Sequence, residues 1–108
     1  MDFFKKLFGG GATANLQSII KEGAFLVDVR SPGEFAQGHV NGSVNIPLDD
    51  ITRQIAQFRG KPHVIVFCRS GSRSRAAKSI LEENGIKNVI NGGTWNDVAR
   101  FVQLNNGQ

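Results

Sequence analysis

The stretch His63-Val64-Ile65-Val66-Phe67-Cys68, followed at once by Arg69-Ser70-Gly71-Ser72-Arg73, decides how the rest of the chain is read. Its first half is short, apolar and β-branched, with Pro62 just before it, the pattern of a strand buried on both faces. Its second half is small, polar and basic. It leads into a segment where Ala76, Ala77, Ile80 and Leu81 recur at helical spacing, with Ser72 or Ser74 as the expected cap and Gly85 as the stop. Strand, tight loop and helix in this order are part of a parallel α/β unit, and the expected place of this strand is the centre of the sheet.

The flanking sequence extends the pattern. Upstream, Thr13 or Asn15 is expected to cap a helix with Leu16, Ile19 and Ile20 on its buried side, ending at Gly23. Residues Ala24–Val29 form a second nearly continuous apolar run, ended by Ser31-Pro32-Gly33. Glu34–Gln37 allows at most one helical turn before Gly38, and Asn41-Gly42 marks a turn before the short extended piece Ser43–Ile46, which Pro47 closes. Asp49 and Asp50 suit the first turn of a helix whose stripe, Ile51, Ile55 and Phe58, runs to Gly60. Downstream, Lys87–Ile90 reads as another strand and Gly92-Gly93 as a tight turn. Thr94 caps a last helix with Trp95, Val98, Phe101 and Val102 inward. The expected fold class is α/β, with an open, mainly parallel sheet flanked by helices on both faces.

At 108 residues the chain suits one domain, taken as residues 13–108, and the apolar fraction of 40% with eight Phe excludes disorder as the default. Residues 1–12 read as a flexible tail because of Gly9-Gly10-Gly11. Within it, Phe3, Phe4, Leu7 and Phe8 could form one apolar face opposite Lys5 and Lys6. Packing on the domain is the commoner outcome for so short a segment, and membrane or partner contact is the lesser reading. No apolar run approaches the roughly 18 residues of a membrane span, and the opening MDFFKKLFGGG lacks a secretory pattern, so a cytoplasmic protein is expected. The single cysteine excludes an internal disulfide framework and a cysteine-only zinc site. With only His39 and His63 besides, neither a metal nor a cofactor is expected. Net charge is +4, and between Asp50 and Glu82 lie seven basic residues and no acid, a segment that should attract anions. That segment carries no interleaved aromatics and no recognition motif, so a nucleic-acid partner is not expected.

Cys68 stands where ligands bind in open α/β sheets, outside the carboxyl end of a strand and at the start of a helix. The amides of a small-residue loop and the positive end of a helix dipole form an anion cradle, and the same field favours thiolate over thiol. A lone cysteine at a strand end is often an inert core filler. Here Arg69, costly to bury unpaired, follows it directly, and Gly71 lets the backbone bend around whatever sits over the sulfur. Nucleophile and cradle thus occupy six consecutive residues.

The loop Cys68-Arg69-Ser70-Gly71-Ser72-Arg73 resembles the active-site signature of single-domain rhodanese-like sulfurtransferases, cysteine-arginine-any-glycine-any-arginine. Asp28-Val29-Arg30, Glu34-Phe35, Gly38-His39-Val40, Gly42-Ser43 and Asn45-Ile46-Pro47 resemble that family's first half in order and spacing, and Gly92-Gly93 with Trp95 is similar to its C-terminal turn. The resemblance covers about residues 15–104. It implies a rhodanese-type thiosulfate sulfurtransferase. Cys68 would take sulfur from thiosulfate or a similar small anionic donor, hold it as a persulfide within the Arg69–Arg73 loop, and pass it to cyanide, a small thiol or a protein thiol. Arg69 and Arg73 are planar forks suited to a dianionic donor, while Arg75 and Lys78 extend the field or serve as surface charge.

Asp28 and Arg30, at the end of the first strand, read as structural support. Arg30 is spaced for a local ion pair with Glu34, and a carboxylate beside the thiolate would raise its pKa. His39 is expected to be a hydrogen-bonding prop and not a base, and Trp95 to be core with a partner for its N–H. Two other functions compete. A phosphatase or arsenate reductase of related fold needs a loop one residue longer between cysteine and arginine. A non-catalytic interaction module would keep the fold and use the loop only to dock a partner.

Overall fold

The computed structural model describes residues 10–106. In chain order the elements are helix α1 (Gly10–Lys21), strand β1 (Phe25–Asp28), helix α2 (Pro32–Gln37), strand β2 (Val44–Asn45), two 3₁₀ segments (Leu48–Asp50 and Thr52–Phe58), strand β3 (Val64–Cys68), helix α3 (Ser72–Glu83), strand β4 (Val89–Thr94) and helix α4 (Trp95–Asn106). The four strands form one sheet in the order β2-β1-β3-β4, every neighbouring pair parallel. β3 is central and every one of its five residues is buried, as its unbroken apolar run requires.

Alternation along β3 divides the core. Val64, Val66 and Cys68 face a layer that includes Ile51, Ile55, Phe58, Ala77, Leu81 and Ile86. Ile65 and Phe67 face the other way, toward Val98 and Trp95 of α4 and Leu16, Ile19 and Ile20 of α1. Helices therefore cover both faces, and the period of two in the strand decides that the sulfur lies on the α3 side.

Several local expectations change. α1 already includes Gly10, so positions 13 and 15 lie within it and not at its start; glycine is permissive in a helix without forbidding one. The expectation for Phe3, Phe4, Leu7 and Phe8 lies outside the described residues. The helix expected from Asp49 to Gly60 is two 3₁₀ segments, the second kinked at non-helical Gln54, although Ile51, Ile55 and Phe58 are buried as anticipated. The buried side of α3 is Ser74, Ala77 and Leu81, with Ala76 exposed. Gly92 and Gly93 do not form a turn after a strand ending at Ile90, since both belong to β4. Val66 pairs with Asn91 but Phe67 pairs with Gly93, so Gly92 is the extra residue of a bulge. A Cβ on Gly92 would stand 2.9 Å from Ile65 Cγ2 and 3.0 Å from Val98 Cγ2, which is why this position has no side chain.

Candidate active site

The site lies at the carboxyl edge of β3. Cys68 ends that strand, and the chain turns through Arg69 and Ser70 to Gly71, whose φ of 99° is left-handed, a conformation open to glycine at little cost. That turn aims the Gly71 amide at the sulfur: its N–H donates to Cys68 Sγ over 3.0 Å. Gly71 is also the N-cap of α3, so the sulfur sits at the positive end of a twelve-residue helix. Neither Ser72 nor Ser74 supplies a side-chain cap, contrary to expectation. Ser74 is instead fully buried within the first turn, its Oγ 3.6 Å from Cys68 Sγ.

These contacts oppose the effect of burial. Cys68 is 1% exposed, which pushes its thiol up, but the Ser74 hydroxyl and the amides of Ser74, Ser70 and Gly71 together outweigh burial and hold it below its ordinary value of 9.0. The result is a sulfur stabilised as thiolate within a shell of donors.

The loop arginines differ in their surroundings. Arg69 is exposed and makes no salt bridge among the described residues. It lines a shallow groove of about 410 Å³ with Glu34, Gln37, Gly38, Trp95 and Asn96. Arg73 reaches across to α2 and is held by Glu34 through both nitrogens, Nη1 to Oε1 at 2.7 Å and Nη2 to Oε2 at 3.0 Å. Glu34 is aimed there by a capping box: Ser31 N–H and Oγ–H each donate to its Oε1 at 3.0 Å, and its own amide donates to Ser31 Oγ at 3.3 Å. Arg73 and Ser31 hold the Glu34 carboxyl at about 2, well below 4.5. The expected Arg30–Glu34 pair is therefore not formed, because Glu34 serves Arg73.

Arg30 turns inward to Asp28. Its Nε lies 3.0 Å from both carboxylate oxygens, Nη2 donates to Oδ2 at 2.7 Å, and the backbone N–H of Arg30 donates to Oδ1 at 2.9 Å. Both residues are buried, at 0% and 4% exposure, so a charge pair in low dielectric anchors the turn beside the site. Nη2 also donates to the Gly38 carbonyl at 2.7 Å, and the guanidinium stacks 4.5 Å over the Trp95 ring. His39 is a prop: its Nδ1–H donates to the Phe35 carbonyl at 3.0 Å while its ring stacks on Phe35.

Three residues of the site are not among those the sequence singles out for it: Ser74, which it offers only as a cap, Glu34 and Asn91. Glu34 is spelled in a Ser-x-x-Glu capping box at 31–34, a signal that was present. Asn91 had none, because its approach to the loop depends on the bulge at Gly92. From β4 its Nδ2 donates to the Gly71 carbonyl at 3.3 Å, while its Oδ1 accepts from Gly93 N–H at 2.9 Å.

Comparison with known proteins places this geometry. Residues 12–95 match the Rhodanese-like domain family. The chain is 40% identical over 75 residues to thiosulfate sulfurtransferase PspE of Escherichia coli, covering 68% of this chain and 72% of that protein. It is 34% identical to a sulfurtransferase of Allochromatium vinosum, covering 65% of each. Among solved structures, the rhodanese with anions from E. coli superposes with a TM-score of 0.65 at 38% identity, covering 70% of this chain and 92% of that one. The human single-domain sulfurtransferase TSTD1 superposes with a TM-score of 0.66 at 29% identity, covering 78% and 88%. With the cysteine loop, the parallel sheet and these relatives in agreement, the chain belongs to the rhodanese-like domain family.

Proposed function

We propose that the protein is a rhodanese-type sulfurtransferase that moves sulfane sulfur from thiosulfate or a similar small anionic donor to a thiophilic acceptor. The observation that carries the reading is the 3.0 Å bond from Gly71 N–H to Cys68 Sγ at the start of α3, which favours a sulfur nucleophile carrying negative charge. Relatives named thiosulfate sulfurtransferase support the donor class.

In the first step the Cys68 thiolate attacks the outer sulfur of thiosulfate. A new S–S bond forms, the S–S bond of the donor breaks, and sulfite leaves with the electron pair. Cys68 now carries a persulfide whose terminal sulfur is anionic, and the amides of the Arg69–Arg73 loop with the α3 dipole stabilise that charge. In the second step the acceptor, cyanide in an assay or a small or protein thiol in the cell, attacks the terminal sulfur and Cys68 departs as thiolate. Arg69, lacking a salt bridge among the described residues, is the cation that meets the donor, while Arg73 shapes the loop through Glu34. A cysteine that cycles through thiolate suits a reducing compartment such as the cytoplasm.

Thiocyanate formation from thiosulfate and cyanide tests the reading. The wild-type protein produces thiocyanate at a rate proportional to enzyme, and Cys68→Ser, folded by circular dichroism, produces none. A folded wild type with no turnover would shift the reading to an anion- or partner-binding loop.

A further inference from the structure

Ser74 Oγ stands 2.6 Å from Asn91 Oδ1, 3.1 Å from the Gly71 carbonyl oxygen and 3.6 Å from Cys68 Sγ. A hydroxyl has one proton, so these three neighbours compete for it. The orientation of the Asn91 amide is not free: Gly93 N–H donates to the side-chain oxygen at 2.9 Å, and the flipped amide would set its NH2 against that N–H and its oxygen against the Gly71 carbonyl, which already accepts the Arg75 N–H. Asn91 therefore presents an acceptor to Ser74 and nothing else. At 2.6 Å, two oxygens with no proton between them repel, which makes Asn91 the strongest of the three claimants.

We propose that Asn91 is a positioning residue for Cys68, acting through Ser74: by claiming the hydroxyl proton it withholds that proton from the sulfur, and it yields it when the thiolate forms. In the thiol, Cys68 S–H donates to Ser74 Oγ and Ser74 O–H donates to Asn91 Oδ1, a relay from sulfur to strand β4. On ionisation the Ser74 proton turns to the sulfur, and Asn91 Oδ1 keeps only the Gly93 N–H. The relay couples the charge on the nucleophile to the β4 bulge, and the bulge is what lets Asn91 and Gly93 share one oxygen. It sets a ceiling on thiolate formation that neither the helix dipole nor the loop amides would impose alone.

The charged groups around the sulfur are Arg73 on α3 with its partner Glu34 from α2, Arg69 on the loop, and the Asp28–Arg30 pair at the end of β1. All of them are retained in every variant of the cycle below, so they form a common background to the comparison. This inference rests on Cys68 as the nucleophile, but its test reads thiolate directly and does not depend on sulfur transfer.

The test is a double-mutant cycle on the full chain, with thiolate followed by ultraviolet absorbance against pH for wild type, Asn91→Leu, Ser74→Ala and the pair. Asn91→Leu frees the Ser74 proton for the sulfur and raises the thiolate-to-thiol ratio about three- to tenfold at a given pH, the range one net hydrogen bond supports. In the Ser74→Ala background the same substitution leaves the ratio unchanged. An equal effect in both backgrounds, or none in either, overturns the proposal, since a merely structural role through Gly71 would act without Ser74. A second measurement needs no variant at β4: in the wild-type protein the Gly93 amide proton resonance shifts downfield with the Cys68 titration, as its bond to Asn91 tightens, and it stays fixed in Cys68→Ser. A Gly93 resonance indifferent to the titration also overturns the proposal.

Discussion

At the scale of single residues, the chemistry is a contest between burial and donors around one sulfur. Cys68 is nearly inaccessible, yet its ionisation is favoured because the donors converge on it. A lowered thiol pKa means more thiolate at neutral pH than an exposed cysteine holds. The rate of alkylation by iodoacetamide should then rise with pH to a half-maximum below the ordinary thiol value of 9.0, and Ser74→Ala should move that midpoint upward. A wild-type midpoint at or above 9.0 contradicts the stabilisation of the thiolate by these donors. Glu34 offers a separate prediction. Its carboxyl is held at about 2 against an ordinary 4.5, so its bridge to Arg73 is fully present above 4.5 and is lost only as pH falls through about 2. Mild acid does not release Arg73, but Glu34→Gln does. That variant should raise KM for thiosulfate by roughly two- to tenfold, because the loop loses its brace to α2. An unchanged or lower KM in steady-state assays would show that the bridge does not shape the loop for the donor.

At the scale of elements, what sequence could reveal followed from whether the signal was local. β3 is legible because five buried residues in a row leave no polar face to place. The first turn of α3 departs from its sequence signal at Ser72 and Ser74 because a serine at a helix start is normally a cap; here the left-handed Gly71 takes that position and Ser74 is rotated inward to the sulfur. β4 departs from its sequence signal for a related reason. Paired glycines are the usual mark of a turn, and only the register between β3 and β4 shows that Gly92 is a bulge residue pressed against Ile65 and Val98. For Arg30 sequence spacing favours Glu34 as the partner, while the burial that makes Asp28 the stronger one is a tertiary fact. The bulge makes its own prediction. Gly92→Ala forces a methyl group to 2.9–3.0 Å from two packed side chains and should cost about 1–3 kcal/mol in urea unfolding. A change within ±0.5 kcal/mol would mean that the β4–α4 packing yields easily.

At the scale of the whole molecule, the sheet acts as a frame that brings four separate segments to one edge. β3 delivers Cys68, α3 delivers Ser74 and the dipole, α2 delivers Glu34, and β4 delivers Asn91. The Asp28–Arg30 pair ties that edge together, joining the end of β1 to Gly38 and, through the stacked indole, to α4. Asp28→Asn leaves a buried guanidinium without its countercharge and should destabilise the fold by about 3–5 kcal/mol in denaturant melts. A loss under 1 kcal/mol would show that the pair is dispensable to the frame.

If the sheet edge is built to let Cys68 accept and hold sulfur, intact-protein mass spectrometry after incubation with thiosulfate reads the event on the protein itself. The wild-type chain gains the mass of one sulfur atom, cyanide removes it, and Cys68→Ser gains nothing. A folded wild type that never gains sulfur, or a Cys68→Ser variant that gains it equally, rules out Cys68 as the sulfur carrier.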